Sequence, residues 1–261
     1  MVRKKYMMFA LPFIIFMLLM VVLPLTLVFI HAFRDDGGFT FNNFRSIFTD
    51  GFSMRVLGRS LWMAVIATVI ILLVAYPIAY GLAMAGFKRK TTILLLFTLP
   101  MWTNLLLRSN ALRAVFYLVD FPLGFWAIMV AFLLNFLPIM ILPIYVVLSN
   151  IDKKYIEASQ DLGASLMRVF FKTVLPLSAP GIVAGVILVF SPIVSTYFIS
   201  GFFGGGGTGW RMFGELLNSF IRTTDYGEGA VLSIILLLIV GTTVFILNRF
   251  SKVGNKRGGL W

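Results

Sequence analysis

Six stretches of this 261-residue chain contain no Asp, Glu, Lys or Arg, and they decide what it can fold into. They are residues 6–33, 60–87, 91–107, 121–151, 173–210 and 229–248, with 28, 28, 17, 31, 38 and 20 residues. About 20 apolar residues are enough for a helix to cross the hydrocarbon layer of a bilayer. Inside that layer every backbone polar group needs a partner within the chain, so only helices and closed barrels survive. None of the six runs alternates polar and apolar residues as a barrel strand does. The expectation is an all-α integral membrane protein, a single transmembrane domain over residues 1–261. Its six spans are expected at about 6–33, 60–87, 91–112, 123–149, 178–201 and 228–249. The third run is the shortest and is extended past Arg108 to reach span length.

The net charge of +12 sorts by side. If the N-terminus lies inside, the inside segments hold 14 basic residues against three acids (Asp152, Glu157, Asp161), and all nine lysines fall there. The outside segments hold eight arginines against seven acids. This is the positive-inside asymmetry. It accounts for nearly all the charge, so the basic balance calls for a lipid bilayer and no nucleic acid. It also puts both termini, and the loop at 152–176, in the cytoplasm. Arg3-Lys4-Lys5 precedes an apolar run too long for a signal-peptide core, so the first helix is expected to stay as an anchor.

That loop is the longest charged interruption in the second half, with seven charged residues from Asp152 to Lys172. A short helix is expected over 155–162, broken by Gly163. A second is expected from Ser165 to about Thr173 and is ended by Leu175-Pro176, since proline lacks an N–H and crowds the preceding turn. Asp161 and Arg168 would give the elbow a polar face, and Leu162, Leu166 and Val169 an apolar one. The order Glu157-Ala158-Ser159, three residues, Gly163, nine residues, Thr173-Val174-Leu175-Pro176 resembles the EAA loop of ABC-importer permeases: Glu-Ala-Ala, three residues, Gly, nine residues, Ile-x-Leu-Pro. The chain departs from it at Ser159, where the pattern has Ala, and at Thr173, where it has Ile. The resemblance implies the type I importer permease fold. It also implies that Glu157, Ala158, Ser159, Asp161, Gly163, Arg168, Leu175 and Pro176 couple the permease to a separate ATPase subunit.

Polar residues at membrane depth are costly and mark function. Trp102, Asn104 and Arg108 follow Pro100, where a helix can unwind, and this stretch is similar to the Pro-x-Trp-x-Asn-x-x-x-Arg segment of spermidine/putrescine permeases of the B type. Tyr76-Pro-Ile-Ala-Tyr80 resembles the permease family too. Ala75, Ala79, Ala83 and Gly86 form a small-residue stripe on the second span, suited to close helix packing. Asn135 and Tyr145 share the fourth span with Pro138 and Pro143, and Ser195 and Tyr197 lie in the fifth. Together with Trp102, Asn104 and Arg108 these are the substrate-pathway candidates. Asp120, Glu215, Asp225 and Glu228 are candidates for drawing cations to the outer mouth. The run Gly204–Gly207, Thr208, Gly209 lacks the Gly-Lys-Ser/Thr ending of a phosphate loop and reads as a flexible external loop.

The chain has no cysteine and one histidine, His31. No catalytic triad, His-Glu-x-x-His motif, Walker motif or metal cluster can be assembled, so no catalytic residue, metal or cofactor is expected in this chain. The six runs also lack the carboxylate that a proton- or sodium-coupled carrier uses. The resemblance covers the second to the sixth span. It implies a non-catalytic permease subunit in a bacterial cytoplasmic membrane, moving spermidine or putrescine by alternating access. The implied partners are a second, C-type permease, two ATPase subunits that bind ATP and magnesium, and an extracytoplasmic substrate-binding protein. A permease for ferric iron, sulfate or molybdate is the alternative, the eight outside arginines suiting an oxyanion, with a secondary carrier behind it.

Overall fold

The computed structural model describes residues 2–35, 38–84, 89–204, 209–223 and 226–257. Gly86, Asp225 and residues 205–208, singled out above, lie outside them. Helices account for nearly all of the described chain, and five are long and apolar enough to cross a membrane. Thr92–Trp102 and Leu105–Leu118 together form a sixth candidate span, bent by 95° at the break between them. The chain divides into two compact units, Met1–Arg55 with Leu216–Ile239, and Val56–Glu215 with Val240–Trp261.

In the first unit, α1 (Val2–Ala32) keeps Pro12 and Pro24 inside the helix. From Leu11 to His31 no residue of it is buried, and Ala32 at its end is the first that is. A helix apolar on all sides and uncovered by its own chain needs lipid or another subunit around it. At its end the carbonyls of Ala32 and Arg34 accept from Asn43 Nδ2, at 3.2 and 3.1 Å, which satisfies groups left over where the helix stops. A two-residue hairpin, β1 (Arg34–Asp35) and β2 (Gly38–Phe39), leads to α2 (Asn42–Thr49). Phe33 stacks flat on Phe39 and meets Phe41 edge-on. The start of α12 (Tyr226–Arg257) closes on α2. A Cβ on Gly227 would lie 2.5 Å from Asn43 Nδ2, so a larger residue there would displace the Asn43 amide from the carbonyls it holds.

The helix α3 (Gly51–Met84) starts in the first unit and continues into the second from Val56; it begins nine residues before the expected span, because Asp50 caps it. The Asp50 carboxylate accepts from the N–H groups of Phe52 and Ser53 and from the Ser53 hydroxyl, at 3.0, 3.0 and 2.6 Å. Ala75 and Ala79 of the small-residue stripe are fully buried. After α4 (Lys90–Thr98) comes a 3-10 turn at Leu99–Trp102, then α5 (Leu105–Leu118). The core of this unit is the antiparallel pair α6 (Phe125–Ser149) and α9 (Leu175–Ser195). Two glycines let the pair close. A Cβ on Gly181 would sit 2.8 Å from the Pro143 carbonyl oxygen, and one on Gly185 would sit 2.7 Å from Met140 Sδ. Between α6 and α9 run α7 (Lys153–Asp161), α8 (Leu166–Val169) and a π-helical turn at Phe170–Val174.

Leu175-Pro176 does not end the second helix of the elbow, contrary to the sequence expectation. The helical path is continuous from Leu166 to Ser195. The π-turn is the reason. The Leu175 N–H donates to the Phe170 carbonyl, five residues back, so the turn is widened just where the proline ring would meet the preceding carbonyls. The fifth span stops at Ser195 instead of reaching residue 201. Thr196 is extended, and α10 (Phe198–Phe203) resumes after it. The last element before α12 is α11 (Phe213–Arg222).

Candidate functional site

The elbow between α6 and α9 is built by local chemistry. Asp152 caps α7 by accepting from the Lys154 N–H at 3.0 Å. The helix closes with a Schellman arrangement: Gly163 donates to the Gln160 carbonyl and Ala164 to the Ser159 carbonyl, at 2.8 and 3.1 Å. Gly163 has φ +78°, a left-handed conformation that glycine adopts without strain. No residue of α7 is buried. Glu157, Ala158, Asp161 and Arg168 are all exposed, and among the described residues none of the three charged ones is in an ion pair. Leu162, Leu166, Met167 and Phe171 stand exposed beside them. Val169, expected on that apolar face, is buried instead, so Met167 and Phe171 extend the face in its place.

A second set of contacts grips the π-turn from α3. Phe170 meets Tyr76 and Tyr80 edge-on, with ring centroids 5.8 and 5.5 Å apart. The Tyr76 hydroxyl hydrogen-bonds Ser178 Oγ at 2.9 Å, and both residues are buried. The Tyr76-Pro-Ile-Ala-Tyr80 stretch held this signal, since its two tyrosines are one helical turn apart on one face. Their partners, 90 to 102 residues away, had no local mark.

Of the seven pathway candidates, Arg108 and Asn135 are brought together. Arg108 Nε donates to Asn135 Oδ1 at 2.6 Å and Nη2 to the Asn135 carbonyl at 3.3 Å, while Nη1 donates to the Pro100 carbonyl. Asn135 is 1% exposed, and its Nδ2 donates to the Ala131 carbonyl at 2.7 Å. The guanidinium thus ties the bent third segment to α6. Asn104 caps α5, its Oδ1 accepting from the Leu106 N–H at 2.8 Å. Trp102 stands at the bend, 87% exposed. Ser195 Oγ turns back to the Ser191 carbonyl at 3.1 Å, and Tyr197 is exposed beyond the end of α9. Tyr145 is buried ten residues along α6 from Asn135, about 15 Å by helical rise.

The acids proposed for the outer mouth are not equivalent. Glu215 pairs with Arg211, Nε to Oε1 at 3.1 Å, and its Oε2 is buried without a hydrogen-bond partner. Glu228 accepts a hydrogen bond from the Ser46 hydroxyl, which pins α12 to α2. Asp120 is exposed, with φ +50° in the turn after α5.

Comparison with known proteins adds to this geometry. The family described as "Binding-protein-dependent transport system inner membrane component" matches residues 75–257. The chain is 32% identical to the spermidine/putrescine transport system permease protein PotB of Salmonella typhimurium (strain SL1344), over 92% of each chain. It is 23% identical to the corresponding PotC protein of Haemophilus influenzae, over 89% of this chain and 92% of that one. Among solved structures, a bacterial ABC transporter involved in the import of the acidic polysaccharide alginate is similar in fold. Its TM-score is 0.75, with 12% identity and 96% of each chain covered.

Proposed function

The chain belongs to the family of binding-protein-dependent transport system inner membrane components, and on that premise we propose that it is the permease subunit that carries polyamines through an ATP-driven importer. The cargo is read from the spermidine/putrescine permease, to which it is similar over 92% of its length. Similarity to the second permease of that system supports a paired arrangement, this chain beside a related permease. Two ATPase subunits holding ATP and magnesium, and an extracytoplasmic binding protein, complete the assembly. The chain itself performs no catalysis.

The observation that carries the reading is the elbow. It joins an exposed charged set (Glu157, Asp161, Arg168) to an exposed apolar set (Leu162, Leu166, Met167, Phe171), and none of the described residues covers either. In the reading proposed here it sits in the cytoplasm, the side of all nine lysines, in a groove of the ATPase. Closure of the ATPase pair drives it, the π-turn hands the motion to α9, and α9 moves with α6 because Gly181 and Gly185 hold them in close contact. Access to a central path then alternates between the two sides. Trp102 and Tyr197, both exposed, offer aromatic faces to ammonium groups by cation–π attraction. Among the described residues the one carboxylate within a candidate span is Glu228, at the start of α12, so the paired permease is assigned the rest of the opposite charge. Arg108 and Arg211 are engaged by protein groups, which leaves two fewer arginines for an oxyanion cargo.

Gly163→Pro tests the coupling, because proline cannot adopt φ +78° and lacks the N–H that Gln160 accepts. ATP-driven uptake is expected to vanish while the protein still inserts, and normal uptake would sink the reading. For the cargo, labelled spermidine uptake should be competed by putrescine and not by sulfate, molybdate or iron. Competition by an oxyanion alone would reassign it.

A further inference from the structure

The two positions at which the elbow departs from the importer pattern touch each other. Ser159 Oγ and Thr173 Oγ1 are 3.1 Å apart, the one from α7 and the other from within the π-turn. Ser159 also donates to the Tyr155 carbonyl at 2.7 Å. A hydroxyl has one proton to give, so Thr173 is the donor in the shared bond. The chain of bonds runs Thr173 to Ser159 to the backbone of α7. Both side chains are half-buried, where water competes less than at the surface.

This bond holds an element that little else holds. With no buried residue, α7 is fixed by its Asp152 cap and Gly163 turn, which set its ends, and by what its inner face touches. We propose that the Ser159–Thr173 hydrogen bond is the positioning contact that makes α7 and the π-turn move as one body, so that displacement of α7 reaches α9 undiminished. In this role Ser159 and Thr173 are a matched pair: the hydroxyl at one position is of use only with the hydroxyl at the other. The inference rests on the elbow's being the coupling element.

The test uses the complete importer in proteoliposomes, read as labelled spermidine taken up per ATP hydrolysed. Thr173→Val keeps the shape and removes the donor. Uptake per ATP is expected to fall about fivefold, the weight of one hydrogen bond in an equilibrium, while ATP hydrolysis continues. Thr173→Ser restores the donor and the coupling. Ser159→Ala combined with Thr173→Ile, an apolar pair, couples better than either substitution alone. A switchable version exploits the absence of cysteine. Ser159→Cys with Thr173→Cys is expected to be poorly coupled when reduced, because thiols are weak donors, and to regain coupling when the disulfide forms. Cross-linking itself reports that the pair is in place in a folded protein.

A Thr173→Val complex coupled as well as the parent overturns the inference, as does oxidation that lowers uptake per ATP, or a cysteine pair that never cross-links. If the parental complex takes up substrate without regard to ATP, the coupling role of the elbow falls, and the inference with it. If the parent is ATP-driven and Thr173→Val matches it, only the role of this bond falls.

Discussion

At the scale of single residues, two glycines with the same lack of side chain do opposite amounts of work. Gly181 faces the Pro143 carbonyl so closely that a Cβ would stand 2.8 Å from it, whereas nothing lies within 4 Å of a Cβ on Gly241. Gly181→Ala is expected to destabilise the protein by about 1–3 kcal/mol through overpacking, and Gly241→Ala to leave it unchanged or slightly stabilised. Thermal unfolding in detergent separates the two. Asp50 gives a pH-dependent counterpart. The Ser53 hydroxyl, helped by the Phe52 N–H, holds its carboxyl below the usual carboxylate range. A carboxyl lowered in the folded state stabilises fully above its unfolded value of about 4. That contribution is lost as pH falls through the lowered folded value. The protection factors of the first-turn amides of α3, observed exchange set against the intrinsic rate at each pH, are therefore expected to fall below about pH 4. Asp50→Ala is expected to show low protection at every pH, at a cost of about 1 kcal/mol.

At the scale of elements, the bent third segment depends on Arg108. Its guanidinium reaches Pro100 before the bend and Asn135 on α6. Arg108→Lys keeps the charge and loses the fork. It is expected to loosen the segment nearly as much as Arg108→Ala, read as raised reactivity of a cysteine placed at Met101. Equal reactivity in Arg108→Lys and the parent would show that charge alone suffices. The sequence made the spans legible because a charge inside the bilayer is so costly that its absence over 20 or more residues has few other causes. It made Gly163 legible because a left-handed turn is settled within a few residues, while the Asp152 cap, which starts α7 two residues before the expected 155, went unread. It misled at Pro176, where the rule that proline stops a helix ignores the π-turn. It also misplaced the start of α3, where Arg55 and Arg59 interrupt the apolar run without interrupting the helix. Tyr76–Ser178 and Ser159–Thr173 escaped it because each pairs ordinary residues across a distance that only the fold closes.

At the scale of the molecule, the charge asymmetry makes a prediction independent of any relative. Leu162 in the elbow and Leu118 at the end of α5 are both highly exposed, and the chain has no cysteine of its own. In intact cells a membrane-impermeant maleimide should label Leu118→Cys and spare Leu162→Cys. The reverse pattern would invert the topology and remove the elbow from the side where ATP is found. The uncovered α1 has a consequence at this scale too. A subunit made alone leaves that helix to lipid, so deletion of α1 should reduce assembly with the second permease more than it reduces insertion of the remaining spans. Co-purification measured against membrane abundance checks this.

The π-turn at Phe170–Val174 also bears on how such permeases can be recombined. One additional residue in a helical turn rotates everything beyond it by about 100°. The azimuth at which the elbow faces its neighbour is therefore set by the residue count of that turn as much as by the sequence of α7. A chimaera that takes its elbow from a permease without such a turn and joins it at Val169 would carry the right surface at the wrong angle. Joined after Pro176, the same exchange would carry its own phase with it.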